Sequence, residues 1–444
     1  MRRSAPAIVA ALASLTVSAQ DRPTQSFRTE ANYIRVDMYP TLRGRPVDDL
    51  LASEIEVADQ GVAQKIDRFE RIRLRGAQPQ PDAGRATDGA AAAAQGPDAR
   101  LFVLFLDTLH VEGNWSRGIS QPLINALNAL VTKDDLIALM TPEMSARDLT
   151  FTSRATSVEE MLRRSWGRRD SPYDLTPEEA EFAACYPGNP FDQIDDEGIA
   201  QEMILRRRES RSLDALEALV EHLGTLQWEG RKAVITISNG WRLFEDDERL
   251  RRQLGSEVQA PPPITQPPTG IGRPSGRATV GARSGGSGAT GKCESARMAL
   301  SMLNGETLFR ETLDRANRTN TSFYPIDPRR VAVFDEDIVP AAGVGWNPPV
   351  ALKEDRARLR ARHTALLTMA ESTDGLAVVN TSDMDASLQR INEDLSSYYL
   401  LGFYSTQKQD GKFHRLTVRV KRSGVQVRAR RGYLAVSAPT SPPR

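Results

Sequence analysis

The stretch LFVLFLDTLHVEGN, residues 101–114, decides the fold. Its apolar run has no polar alternation, so it reads as a strand buried on both faces, the pattern of a parallel sheet covered by helices. The run stops at Asp107 and passes into a loop, and open α/β sheets bind ligands at that end of a strand.

Downstream, ISQPLINALNALV (119–131) spaces its apolar residues for a helix, and DLIALMT (135–141) reads as a second buried strand. DLTFTS (148–153) is expected to be a third strand. Ser157 with Glu160 has the form of a capping box, and Thr176-Pro177-Glu178-Glu179 sets cap, N1 proline and N3 glutamate in order. Residues 198–227 predict one long helix with Leu213, Leu216, Val220 and Leu223 on one face. KAVITIS (232–238) gives a fourth strand, 295–318 a helix, TSFYPID (321–327) a fifth strand and 356–373 a helix. GLAVVN (375–380) follows as a sixth strand and MDASLQRINEDLSS (384–397) as a last helix. Strands alternating with helices indicate a doubly wound α/β domain with a mostly parallel sheet, over residues 100–396.

The two ends of the chain differ from this middle. In YIRVDMYP (33–40), Ile34, Val36 and Met38 alternate with Arg35 and Asp37, as in a half-buried strand. EIEVAD and QKIDRFERIRL supply two more strands before residue 75. YYLLGFY, HRLTVRV and VQVRARRGY lie at 397–436, the last two joined by an expected Ser423-Gly424 hairpin turn. Neither segment of 27–75 or 397–436 is long enough to bury a core alone, so the two are expected to pair into one β-sandwich with the α/β domain inserted. Residues 76–99, rich in Ala, Gly, Pro and Gln, form a linker, and insertions are expected at 166–197, 243–294 and 329–355.

The chain has 444 residues, with 58 basic and 58 acidic side chains, a balance that argues against bulk electrostatic binding to nucleic acid or membrane. Residues 1–19 have the basic start, apolar run and small cleavage-site residues of a secretory signal peptide; an uncleaved anchor is the alternative. Their removal leaves 56 basic and 58 acidic residues, and no later apolar run long enough to span a bilayer. A periplasmic or secreted location follows. In an oxidising compartment Cys185 and Cys293, the only cysteines, can pair into one disulfide between two insertions; two free thiols are the alternative.

LFVLFLD, the helix and strand after it and GRKAVITISNG resemble the von Willebrand factor A domain. RANRTNTSFYPIDPR, LLTMAESTDGLAVVNTSD, INEDLSSYYLLGFYS and DGKFHRLTVRVKRSGVQVRARRGY are similar to the VWFA-related family of exported proteins of Acidobacteria and similar soil bacteria, as is YIRVDMYPTLRGRPVDDLLASEIEVADQG. The resemblance implies a fold and a compartment more than a reaction. It also implies a place for a divalent metal: D-x-S-x-S after the first strand, a threonine from a second loop and an aspartate after the fourth strand. Hard oxygen ligands there suit Mg²⁺ or Mn²⁺. This chain keeps Asp107, but Leu109 and Val111 stand at the serine positions and Ser238-Asn239-Gly240 replaces the aspartate loop. Ser210 and Ser212 are the candidates for the threonine loop. The expectation is a degenerate site with no metal and no other cofactor, Asp107 remaining the one weak metal candidate.

The same strand-end loops carry the candidate binding residues: Asp107, Thr108, His110 and Trp115, then Ser238, Asn239 and Trp241, then Trp346. Tryptophan is enriched at binding hot spots, although large aromatics in long loops also pack beneath them. No nucleophile motif occurs, and His110, His222, His363 and His414 stand far apart in sequence. GGSGATGKC (285–293) lacks the strand and the hydroxyl of a phosphate-binding loop, which sets nucleotide aside. The sequence thus predicts a non-catalytic, adhesion-type module that binds a protein of the cell envelope or extracellular space. The alternatives are a hydrolase assembled in three dimensions near Asp107 and a structural subunit of an envelope assembly.

Overall fold

The computed structural model describes residues 33–43, 45–73, 99–132, 134–153, 156–164, 166–167, 175–186, 198–226, 228, 231–251, 287–335, 352–408 and 410–435. The expected signal peptide, the linker apart from Ala99, Trp346, the Ser157 side chain and much of the three expected insertions lie outside them.

In chain order the N-terminal part forms β1 (Tyr33–Leu42), β2 (Arg45–Pro46), β3 (Ile55–Asp59), β4 (Val62–Gln64) and β5 (Ile66–Arg73). The middle part forms β6 (Leu101–Leu106), α1 (Gly113–Leu130), β7 (Leu136–Met140), α2 (Thr156–Arg163), α3 (Pro177–Cys185) and α4 (Ile199–Thr225). It continues with β8 (Lys232–Ile237), α5 (Glu248–Arg251), α6 (Ser287–Ser301), α7 (Gly305–Arg318), β9 (Thr321–Ile326), α8 (Leu352–Ser372) and α9 (Met384–Ser396). The C-terminal part forms β10 (Ser397–Tyr404), β11 (Phe413–Val420), β12 (Val425–Ala429) and β13 (Gly432–Leu434).

The protein is a mixed α/β molecule. Its central sheet has the order β7-β6-β8-β9 and is parallel throughout, with Leu101 in register with Leu136 on one side and Lys232 on the other. The continuous apolar runs have a direct cause. Phe102, Leu104 and Leu106 pack on one face against Ile119, Leu123 and Leu127 of α1 and Leu388 and Ile391 of α9. Leu101, Val103 and Phe105 pack on the other face against Leu213, Leu216 and Val220 of α4, Phe309 of α7 and Leu366 of α8. Both faces of the two central strands, β6 and β8, are therefore dry, and each large side chain buried there contributes roughly 1.5–3 kcal/mol.

Both chain ends share two antiparallel sheets, ordered β12-β1-β10-β5, with β2 beside β1, and β13-β11-β3-β4. Met38 of β1 faces Tyr399 of β10, and Val57 of β3 faces Val418 of β11, so N- and C-terminal strands alternate in the first sheet and meet once, at β11 and β3, in the second. Val36, Met38, Leu401 and Phe403 from one sheet join Val57, Leu416 and Tyr433 from the other in one apolar cluster.

Four sequence expectations change. DLTFTS is not a strand: Thr152 makes an isolated bridge to Ile137, after a short 3-10 turn at Ala146–Asp148. GLAVVN reduces to one parallel bridge, Val378 to Ile326, because Asp374 and Asn380 on either side take left-handed backbone angles. The helix at 295–318 breaks after Ser301, and Asn304 caps α7 by accepting from Thr307 N at 2.9 Å. The turn at Ser423-Gly424 is a corner and not a hairpin: β11 pairs with β3, whereas β12 crosses to the other sheet and pairs with β1. Arg422 pins that corner through Glu54 and Asp49.

The antiparallel sheets sit at the amino end of the parallel sheet. Arg231, just before β8, is buried and lies 4.5 Å from the Tyr39 ring centroid and 5.8 Å from that of Tyr398. Arg428 of β12 reaches Asp394 of α9 and donates to the carbonyls of Asp374 and Gly375. The opposite, carboxyl end of the sheet is left to loops.

Cys185 and Cys293 form a disulfide between α3 and α6. It closes a satellite core of Phe182, Tyr186, Ile199, Met203, Leu250 and Leu300. The Thr176 box opens α3: its hydroxyl accepts from Glu179 N, and the Glu179 carboxylate accepts from Thr176 N at 3.0 Å. No helix among the described residues is long and apolar enough to cross a membrane.

Candidate functional site

Asp107 ends β6 at the carboxyl edge of the parallel sheet and is fully buried. Its backbone N donates to Ile237 O at 3.0 Å, which locks it beside the end of β8. Its carbonyl accepts from His110 N and Val111 N, so the loop turns back at once. That turn places His110 Nδ1 at 3.0 Å from Asp107 Oδ1.

Two hydroxyls complete the group. Ser212, on α4, donates to Asp107 Oδ1 at 2.8 Å, and Ser238, just after β8, donates to Oδ2 at 2.6 Å. Ser238 Oγ in turn accepts from Gly240 N at 3.0 Å. Burial pushes the Asp107 carboxyl up, but the neighbouring His110 charge and the hydrogen bonds from His110, Ser238 and Ser212 prevail and hold it below its ordinary range.

Gly240 makes the Ser238 turn feasible. Its φ is 85°, and a Cβ there would stand 2.5 Å from Arg362 O of α8. Arg362 Nη1 donates to Gly240 O at 2.7 Å, which seats α8 on the strand end. Glu209, buried on α4, holds the next segment by accepting from Arg242 N at 2.7 Å and Phe244 N at 2.8 Å. Burial raises the Glu209 carboxyl above its usual range despite those bonds.

A second buried aspartate repeats the arrangement. Asp327 follows β9, accepts from Arg329 Nη2 at 2.8 Å and stands 3.1 Å from His363 Nε2 of α8. Burial raises its carboxyl, and the bonds from His363 and Arg329 more than offset this and lower it. Arg329 also donates to Asn239 O at 3.0 Å, tying the two strand ends together. Sequence reading missed Asp327, although FYPID carries the same signal as LFLD: a buried strand that stops on an aspartate.

The structure thus brings Asp107, His110, Ser238 and Asn239 together with Ser212, whereas Ser210, the other candidate for the threonine loop, donates to Asp214 at 3.2 Å. Asn239 is buried, and its Oδ1 has no hydrogen-bond partner among the described residues. Thr108 lies at the rim, where its hydroxyl donates to Glu143 at 2.8 Å. Of the three expected tryptophans, the two among the described residues do not form a surface. Trp241 is fully buried 6.2 Å from the Phe309 ring, and Trp115 is half-buried against the α1 side of the sheet. The reason is room: small side chains around the β8 loop leave a slot beneath α7 and α8, and the indole fills it.

Chemically the group is a self-contained hydrogen-bond cluster. A nucleophilic relay needs the base to face serine with one ring nitrogen and carboxylate with the other. Here Nδ1 faces both, 3.3 Å from Ser212 Oγ, and the serine hydroxyl is directed at the carboxylate. The donor set is also poor for Mg²⁺ or Mn²⁺. Leu109 and Val111 are buried and apolar where hydroxyls would be needed, and the one carboxylate already serves three donors. Among the described residues no group of three or more His, Cys, Asp or Glu side chains is placed to hold a metal ion.

No protein-family model matches the chain, and no curated protein matches it.

Proposed function

We propose that the protein is an exported, non-catalytic interaction module of von Willebrand A type, carried on a β-sandwich, whose carboxyl-end loops bind a protein partner without a metal ion. One observation carries this reading. Met144, in the loop after β7, and Val331 and Val333, in the loop after β9, are exposed apolar side chains at the end where Asp107 is internally satisfied. Exposed apolar groups beside a rigid, saturated polar core suit a contact surface better than a reaction centre. The four-stranded parallel order, the shared sheets at the two chain ends and the disulfide agree with the VWFA-related resemblance and with an oxidising compartment.

The test is site-specific photo-crosslinking. A benzophenone side chain at Met144 or Val333 is expected to give one discrete adduct in envelope or culture-medium fractions, and the same group at Arg419 of β11 none. Equal labelling from all three positions, or a hydrolytic turnover that Asp107→Asn abolishes, would overturn the proposal.

A further inference from the structure

Helix α8 runs antiparallel to β9 and outlasts it. Thr373, just after the helix, accepts from Phe323 N at 3.0 Å near the start of the strand, and His363 meets Asp327 just past the strand's end. Arg362 is fixed at that end too, donating to Gly240 O at 2.7 Å. The helix from Leu352 to Ala361 therefore projects beyond the carboxyl end of the sheet, and Lys353 stands about 14 Å ahead of Arg362 along the axis.

One stripe of α8 faces solvent along its whole length. Lys353, Arg356, Arg360, Thr364, Leu367 and Glu371, each three or four residues from the last, are all exposed. On the projecting part the stripe is cationic, and Lys353, Arg356 and Arg360 have no carboxylate partner among the described residues. That placement costs stability twice. Arg356 and Arg360 are like charges one turn apart, and Lys353 stands in the first turn, where the helix dipole disfavours a cation. Other helical arginines are neutralised in place: Arg163, Arg164, Arg310 and Arg358 each meet a glutamate four residues earlier. The acids in the first turn of α8 are engaged elsewhere, Glu354 with Arg358 and Asp355 with Asp335 N at 3.0 Å.

The Asp335 contact seats the loop after β9 against the same helix end. Val331 and Val333 of that loop and Leu352 of α8 are exposed apolar side chains. Arg330, exposed beside Val331, is a further cation without a carboxylate partner among the described residues. On the other flank of α8, Glu306 is neutralised by Arg310, and Glu245 shares the lining of a cleft with Ala361, off the stripe.

We propose that this projecting face docks an acidic segment of the partner protein, with carboxylates against Lys353, Arg356 and Arg360 and apolar side chains against Leu352, Val331 and Val333. Such docking presupposes the interaction module proposed above and gives its partner a chemistry. A peptide chain supplies both kinds of group, whereas a uniform polyanion would leave the apolar side chains without a counterpart.

Fluorescence anisotropy of the full chain with a labelled peptide of repeated Glu-Leu-Glu units tests this. The peptide is expected to bind, and its Lys-Leu-Lys counterpart to bind at least about tenfold more weakly. Lys353→Gln with Arg356→Gln and Arg360→Gln is expected to weaken the peptide about tenfold, because three exposed ion pairs are lost. Arg419→Gln, an exposed change on β11, should leave binding unchanged. The triple variant is expected to melt no lower than the parent, since it relieves the like charges; a lower value would make the stripe structural and count against docking. The proposal is overturned if the peptide does not bind, if the triple variant binds it like the parent, or if oligogalacturonate or phosphatidylglycerol vesicles bind more tightly than the peptide. Crosslinking from Val333 separates the two readings. No adduct in the parent sinks the interaction module, whereas an adduct of unchanged yield in the triple variant overturns the acidic partner alone.

Discussion

The Ser238 hydroxyl donates to Asp107 Oδ2 at 2.6 Å and so joins the ends of two neighbouring parallel strands. Both residues are fully buried, which makes the bond a structural joint in a dry place. Asp107→Ala strands three donors and is expected to destabilise the protein by about 3 kcal/mol, with Ser238→Ala costing about 1 kcal/mol. The double variant should cost less than the sum, because the second change removes a bond already lost. Because the folded-state carboxyl is held low, its contribution is present above the unfolded value near pH 4 and is lost as pH falls through the folded one. Denaturant unfolding of the three variants at neutral and acid pH checks each statement.

The same joint bears on metals. Titration calorimetry with Mg²⁺, Mn²⁺ and Ca²⁺ is expected to give no binding heat below millimolar concentration, because a cation at Asp107 must displace the His110 and serine bonds. Submicromolar binding lost in Asp107→Ala would reverse this and make a carboxylate-bearing partner the leading candidate.

The central sheet was legible because strands buried on both faces leave unbroken apolar runs, as in LFVLFL and KAVITI. Its edges were not. DLTFTS and GLAVVN have strand composition, but each makes a single bridge, and composition does not record how many partners a strand finds. Asp107, Ser238 and His110 were readable from their place after strands. Ser212 could be named as a candidate but not placed, since a helix residue 105 positions from Asp107 meets it only through packing. Trp241 misleads because an indole carries the same local pattern in an exposed loop and in a slot beneath a helix. Arg231 and Arg100 were missed altogether: charged residues at strand starts read as solvated, and here both are buried.

Arg100 makes a test of that last point. Its guanidinium donates to Asp135 at 3.0 and 2.6 Å, to Leu395 O at 3.0 Å and to Leu130 O at 2.7 Å. Arg100→Ala leaves Asp135 as a buried unpaired carboxylate, and the expected loss is about 3–5 kcal/mol. Arg100→Met with Asp135→Leu removes both charges and should recover much of it. If the single and double variants unfold at the same denaturant concentration, burial of the stranded charge is not the cause.

The disulfide spans a sequence separation of 108 residues and ties α3 to α6. Paired Cys185→Ser and Cys293→Ser changes are expected to cost about 2–4 kcal/mol, chiefly by releasing the unfolded chain. The loss should be local at first, because the bond serves the small cluster around Phe182 and Leu300 and not the central sheet. Hydrogen exchange is therefore expected to quicken in α3 and α6 of the variant while β6 and β8 keep their protection. Equal quickening across the parallel sheet would show that the satellite core and the sheet unfold as one unit.

The last prediction concerns the seam between the sheets. Burial pushes the Asp374 carboxyl up to about 6, although Arg431, Arg428, Arg231 and Arg430 pull it down. A raised folded-state value means the folded protein holds this proton more tightly than the unfolded chain. The stabilising contribution is therefore complete below about pH 4 and is lost as pH rises through about 6. Asp374→Asn mimics the protonated form, and asparagine tolerates the local φ of 59°. The variant is expected to be more stable than the parent at pH 8, by of order 1 kcal/mol after allowance for partial exposure, with the gain vanishing near pH 4. Thermal unfolding of both proteins between pH 4 and 8 reads this directly. A variant less stable than the parent at pH 8 would mean that the four arginines need the Asp374 charge more than burial penalises it.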